Sequence, residues 1–253
     1  RSSDLLETAS EIAGLTFAEI KKQNKSFPDY IKQFWTYALN IEYLYEQKED
    51  LVATVFDRLN RNGEPLTRQE LRNAKYSDSL LLKTIKELTE SDFWNDKLSR
   101  LKSVRMEDIE FISELFFLVA EDRVLDSSQE TLDLLYEKYR NDATGISKAQ
   151  KKFVSIVTTI NKLNINFDTN KRLCWTTHLY SLFSLAWQLN KQENLDPNIG
   201  AKINDFYTAY FSKTTDYADS LKAYKEASSS RTRSESQRKN RLSALAEYCG
   251  IQI

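Results

Sequence analysis

Hydrophobic positions along this chain recur mostly at helical spacing. Residues 3–14 carry Leu5, Leu6, Ala9, Ile12 and Ala13 on one side, with Gly14 closing the segment, and Phe17 to Lys22 reads as a helical turn. From Asp50 onward, Leu51, Val55 and Leu59 repeat every four residues with Val52 and Phe56 beside them. Asn60-Arg61-Asn62-Gly63 stops that helix, because Asn and Gly tolerate the left-handed backbone of a helix end. Pro65 keeps the link from coiling, and Thr67 with Glu70 has the spacing of a capping box for the next helix. Further helices are predicted over Ser79 to Thr89, Glu107 to Asp122, from Ser127 or Ser128 through Tyr139, from Ser147 through Leu163, and from Asp168 or Thr169 to Asn190. Asp196-Pro197 opens another to Phe211, and Asp216 to Glu226 and Glu235 to Tyr248 complete the set.

One stretch departs from this period. Trp35, Tyr37, Leu39, Ile41, Tyr43 and Tyr45 occupy alternate positions, with Thr36, Asn40 and Glu42 between them, and this predicts a half-buried strand over about 34–45. A lone strand leaves its backbone groups unpaired. The expected fold is therefore mainly α: a multi-helix domain whose one strand completes a small sheet supplied by a missing N-terminal part or by a partner. The start at Arg1, with Met106 as the single methionine, is read the same way, as a piece of a longer protein. Asn141 to Gly145 reads as a modest break, giving residues 1–140 and a helical C-terminal part, 141–253.

Composition narrows the chemistry. A formal charge of −1 gives no global electrostatic case for nucleic acid, so any such surface must be local. The five glycines are not clustered, which excludes Walker-type and dinucleotide-binding loops. His178 is the only histidine, so HNH nuclease sites and multi-histidine metal centres are excluded, and inside an apolar helix it reads as a packed residue. Cys174 and Cys249 are far apart and read as reduced cysteines of a cytoplasmic protein. The apolar run Leu115 to Ala120 is too short for a bilayer, so no membrane is expected. Glu107, Asp108 and Glu110 read as acids at a helix start, favoured by the dipole rather than placed for a metal.

The polar residues around the turn, Arg58, Asn60, Arg61, Asn62, Arg72 and Asn73, crowd one corner. On local chemistry it is a well-capped helix-turn-helix with solvated charges. The pattern F-x-R-L-N-x-x-G-x-x-L-x-x-x-E-L-R-N-A, here Phe56 to Ala74, resembles the second half of the GmrSD-type restriction endonuclease N-terminal domain. Weaker similarity runs on through Arg105-Met106-x-Asp108. That family has a ParB/sulfiredoxin-like core and belongs to bacterial systems that destroy modified phage DNA. The resemblance makes residues 1–140 the C-terminal portion of such a domain. It implies that Arg58, Asn60, Arg72 and Asn73 line or brace a nucleotide-hydrolysing core, whose catalytic residues lie in the missing part. A nucleoside triphosphate with a divalent metal would serve the complete protein. This sequence contains neither the family's DGQQR motif nor its HNH-like domain.

Ser228 to Arg241 is the main basic run. Arg231, Arg233, Arg238, Lys239 and Arg241 there read either as a solvated helix start or as a segment contacting phosphates of DNA or nucleotide. The expected function is a component of an anti-phage restriction system, a nucleotide-dependent, DNA-directed protein. Its partners would be a ParB-like part or subunit, DNA, and a second copy of itself. The alternative is a non-catalytic helical module that docks on a partner protein.

Overall fold

A computed structural model describes residues 16–22, 31–32, 35–36, 38, 65–101, 103–192, 196–212 and 218–253. The chain divides into two compact units, Arg1–Gly63 and Glu64–Ile253. All described regular structure is helical, and no strand occurs among the described residues.

In the first unit, helix α1 spans Phe17–Lys22. Thr16 and Glu19 close its start reciprocally: Thr16 N–H donates to Glu19 Oε2 at 2.7 Å and Glu19 N–H to Thr16 Oγ1 at 3.4 Å. The strand expected over about 34–45 needs correction where it can be seen. Trp35 and Thr36 are helical, and the Thr36 hydroxyl donates to the Lys32 carbonyl at 2.8 Å, the back-bond of a helical threonine. Trp35 is 67% exposed and meets Phe17 edge-on at 6.0 Å. No sheet that this stretch could join occurs among the described residues. Leu39 to Tyr45, and the helices expected over 3–14 and Leu51 to Leu59, lie outside the described residues.

The second unit holds ten α-helices among its described residues. They are α2 (Arg68–Lys75), α3 (Leu80–Thr89), α4 (Asp92–Lys97), α5 (Glu107–Glu121) and α6 (Gln129–Tyr139). Then follow α7 (Ala143–Lys162), α8 (Thr176–Leu189), α9 (Ile199–Phe211), α10 (Asp219–Ala227) and α11 (Glu235–Cys249). Helices α5 and α8 are the inner pair. Every residue from Phe111 to Val119 is buried, as is every residue from His178 to Trp187, because each helix is covered on all sides. Around α5 pack α2, α3, α6, α7 and α8, while α11 lies on α8, α9 and α10. Trp94 on α4 fills the middle of the core, with Phe111, Phe153 and Phe183 each about 6 Å from its ring.

Local rules account for the helix boundaries. The Thr67–Glu70 capping box forms: Glu70 N–H donates to Thr67 Oγ1 at 3.1 Å and Thr67 N–H to Glu70 Oε2 at 2.6 Å. Ser79 caps α3, and Ser128, not Ser127, caps α6. Gly145 does not break the chain. It lies in the first turn of α7, where its N–H donates to the Asp142 carboxylate at 2.8 Å. A Cβ there would stand 2.2 Å from that carboxylate, so glycine lets the cap close. The break expected at 141–145 is therefore a capped helix start inside one compact unit, with Tyr139 and Ile146 in the same core cluster. Helix α8 starts later than the expected Asp168 or Thr169: a 3₁₀ turn, Lys171–Cys174, intervenes and Trp175 is extended at φ −72°, ψ 138°.

Gly200 sets the approach of α9 to the end of α7, since a Cβ would lie 2.0 Å from the Leu163 carbonyl oxygen. Gly200→Ala must push the two helices apart, at a cost of about 1–3 kcal/mol. Thermal unfolding should then fall by several degrees, at roughly 2–4 °C per kcal/mol for a domain of this size. A melting temperature equal to that of the wild type would contradict the close approach.

Candidate functional site

The site is built on the acidic positions of α5. Glu110 and Glu114 are four residues apart and share a face, but that face turns inward: Glu114 is only 6% exposed. Two like charges there require cations, and these come from the end of the chain. Arg233 Nη2 donates to Glu110 Oε1 at 2.6 Å and makes a closer contact with Glu114 Oε1. Arg238 Nη2 pairs with Glu114 Oε2, and its Nη1 donates to the Leu125 carbonyl at 2.8 Å. Ser127 Oγ accepts from Arg233 Nε at 2.8 Å and from Arg238 Nη2 at 3.1 Å, while Ser127 N–H donates to the Arg233 carbonyl at 3.2 Å. The Arg238 guanidinium also lies 3.8 Å over the Tyr180 ring.

The same network reaches α2 through Glu110, whose Oε2 accepts from Arg72 Nη2 at 3.1 Å. Arg72 is 3% exposed and spends its whole fork: Nη2 also donates to Gln129 Oε1 at 2.8 Å, Nη1 to Asp133 at 2.7 Å, and Nε to Gln69 at 2.9 Å. Gln69 in turn donates to the Tyr136 hydroxyl, which shares a 2.7 Å hydrogen bond with Ser113. An unbroken line of charge runs from Asp133 through Arg72, Glu110, Arg233 and Glu114 to Arg238. Burial works against the charge of Arg233, but the Glu114 and Glu110 carboxylates outweigh it and raise its pKa.

Arg241 differs. It is fully buried, and it donates to the Ser181 hydroxyl at 3.1 Å and to the carbonyls of Ala227 and Thr232 at 2.6 Å each, with no carboxylate among its partners. Burial holds its pKa below the ordinary arginine value, and the neighbouring Arg238 charge adds to this.

These groups border a cleft of about 450 Å³. Its lining includes Arg233, Arg238 and Arg241 together with Glu107, Glu110 and Glu114. Thr67, Arg68 and Arg105 also line it, as do Thr176 and Thr177 of the first turn of α8 and Tyr180 beyond it. The lining contains five arginines against three glutamates.

The residues singled out in the sequence fall into distinct places. Arg58 and Asn60 lie outside the described residues. Arg72 is a buried hub, and its neighbour Asn73 is half-buried with an Oδ1 that has no hydrogen-bond partner. Of the basic run, Arg233, Arg238 and Arg241 turn inward to the cleft wall rather than forming a solvated helix start. Arg231, at φ 48°, is exposed, and exposed Lys239 pairs with Glu235 at 2.6 Å. Glu107 and Glu110 line the cleft, so their placement is more than a dipole effect, while Asp108 takes only the Ile109 N–H at 2.8 Å. Glu114 and Gln129 are not among the residues that the sequence singles out, and Ser127 is expected there only at a helix start. The available signal was Glu114 itself, a carboxylate within the apolar run Phe111 to Leu118. Among the described residues, no group of His, Cys, Asp and Glu has metal-binding geometry, and no helix is long and apolar enough to cross a membrane.

His178 lies outside the cleft in an aromatic cage. Its Nδ1 is 3.0 Å from the Tyr224 hydroxyl, and the rings of Tyr207, Tyr210 and Phe211 pack around it. Burial lowers its pKa to about 4, with the charges of Arg241 and Arg172 acting in the same direction. Unfolding therefore takes up a proton below the ordinary histidine pKa. Its contribution is complete above about pH 6.5 and is lost as pH falls toward 4, roughly 3 kcal/mol in all. Because the chain has one histidine, stability should decline between pH 6.5 and 4.5 in the wild type and much less in His178→Gln. Parallel curves for the two proteins, from chemical denaturation across that range, would contradict the assignment.

No protein-family model, curated protein or solved structure matches this chain.

Proposed function

We propose that this chain is the helical body of a nucleotide-dependent, DNA-directed restriction protein of the GmrSD type. Its part is to hold the E-L-R-N-A helix of the motif rigidly on the helices that follow it. The observation that carries this reading is Arg72. The one arginine of that motif segment is not a solvated corner charge. It is locked through Glu110, Gln129 and Asp133 onto α5 and α6. A residue that braces a neighbouring core must itself be fixed, and a guanidinium with four partners is fixed. Contact with DNA backbone through the basic run would fall to Arg231 and Lys239, since Arg238 and Arg241 are buried.

A second reading, a helical interaction module without catalysis, is favoured by the inward neutralisation of Arg233 and Arg238 on Glu114. The complete reading frame separates the two: a DGQQR-like motif upstream supports the restriction reading, and an unrelated upstream sequence supports the module.

The position that separates folding from activity is Asn60, not Arg72. Removing Arg72 strips Glu110 and Asp133 of a buried partner and should cost about 3–5 kcal/mol. Asn60→Ala in the complete protein should reduce nucleotide turnover while costing no more stability than a cap loss, about 1 kcal/mol. Normal turnover in that variant, or no nucleotide hydrolysis by the wild type, would overturn the proposal.

A further inference from the structure

Three of the guanidiniums in this network are at least nine-tenths buried, Arg72, Arg238 and Arg241, and only one carboxylate, Glu114, is buried as deeply. Buried charge is stable only when it is compensated. Arg72 has Glu110 and Asp133, so the imbalance falls on the cleft wall. There Arg241 has only hydroxyl and carbonyl partners, and Arg238 keeps a buried Nε with no hydrogen-bond partner at all. The first turn of α8 borders the same cleft, and α8, fourteen residues long, has no side-chain cap on its N-terminus. Its partial positive charge and free amides add to the field of the arginines.

We infer that this cleft binds a phosphate-bearing small molecule of nucleotide size, with Arg233 and the first turn of α8 holding the phosphate. Planar guanidiniums, threonine hydroxyls and helix amides are the donors that a tetrahedral oxyanion takes. A space of about 450 Å³ exceeds what a bare ion needs and falls within the range of small-molecule sites. Glu107 and Glu110 then accept from hydroxyl or amino groups on the rest of the ligand. The phosphate draws Arg233, half-exposed at 51%, away from Glu110, while Arg238 stays on Glu114. Arg238 and Arg241, 3% and 0% exposed, do not touch the ligand and act on it only through their charge. This inference concerns residues outside the motif Phe56 to Ala74 and does not rest on the restriction reading.

The test titrates the chain with ATP, pyrophosphate and a duplex oligonucleotide, by calorimetry and thermal shift, in wild type and two variants. Thr177→Glu puts a carboxylate in the first turn of α8, where the dipole favours it, so the fold should hold. Arg233→Gln removes the half-exposed guanidinium. The wild type should bind ATP and pyrophosphate and melt higher in their presence. Both variants should bind about tenfold or more weakly, the loss of one charge-assisted contact. Absence of binding by both ligands at millimolar concentration would overturn the inference, as would a Thr177→Glu variant that binds like the wild type. Tight binding of the duplex in place of ATP, lost in the same variants, would replace a small ligand by nucleic acid and overturn it too.

Discussion

The Glu114 carboxylate, between Arg233 and Arg238, is the constraint on which the second unit depends. It stands on α5, one of the two inner helices, five residues from the end of the buried run that begins at Phe111 and closes at Val119. An unpaired carboxylate at that depth would cost several kcal/mol, so α5 takes its place only when the segment leading into α11 is docked. Ser127 enforces the same docking from the loop, accepting from both arginines while donating its N–H to the Arg233 backbone. Packing of apolar side chains alone would let α11 slide along α8. Two guanidiniums with fixed partners set its register.

The same chemistry explains why the E-L-R-N-A segment and the basic run, far apart in sequence, belong to one structure. Glu110 accepts from Arg72 with one oxygen and from Arg233 with the other, so a change at either arginine is felt by its counterpart through a shared carboxylate. The line ends where compensation runs short, at Arg238 and Arg241 on the cleft.

Local rules made much of the helical architecture legible in the sequence. The capping box of Thr67 and Glu70, the serine before Leu80 and the apolar spacing of α5 to α7 are decided by contacts within a few residues. Failures arose where distant groups decide. Trp35 and Thr36 alternate with apolar neighbours yet are helical, because period two over a short aromatic stretch does not exclude a helix stabilised by an i−4 hydroxyl bond and a ring contact with Phe17. Gly145 reads as a breaker until Asp142 is seen to need it bare. The arginines of the terminal run look solvated because their partners, Glu110 and Glu114, lie more than a hundred residues earlier, and a single sequence does not reveal that pairing. The cleft was illegible for the same reason.

The most direct test of this account is a double-mutant cycle on Glu114→Gln and Arg238→Met, followed by denaturant unfolding of all four proteins. Glu114→Gln leaves buried Arg238 without a carboxylate and should cost about 3–5 kcal/mol, while Arg238→Met leaves Glu114 on Arg233 alone and should cost less. The double change removes both charges, with Arg233 still held by Glu110, and should cost less than the sum of the singles by about 2 kcal/mol or more. Costs that add to within about 0.5 kcal/mol would mean that the pair is incidental, and that apolar packing alone docks α11 on the inner helices.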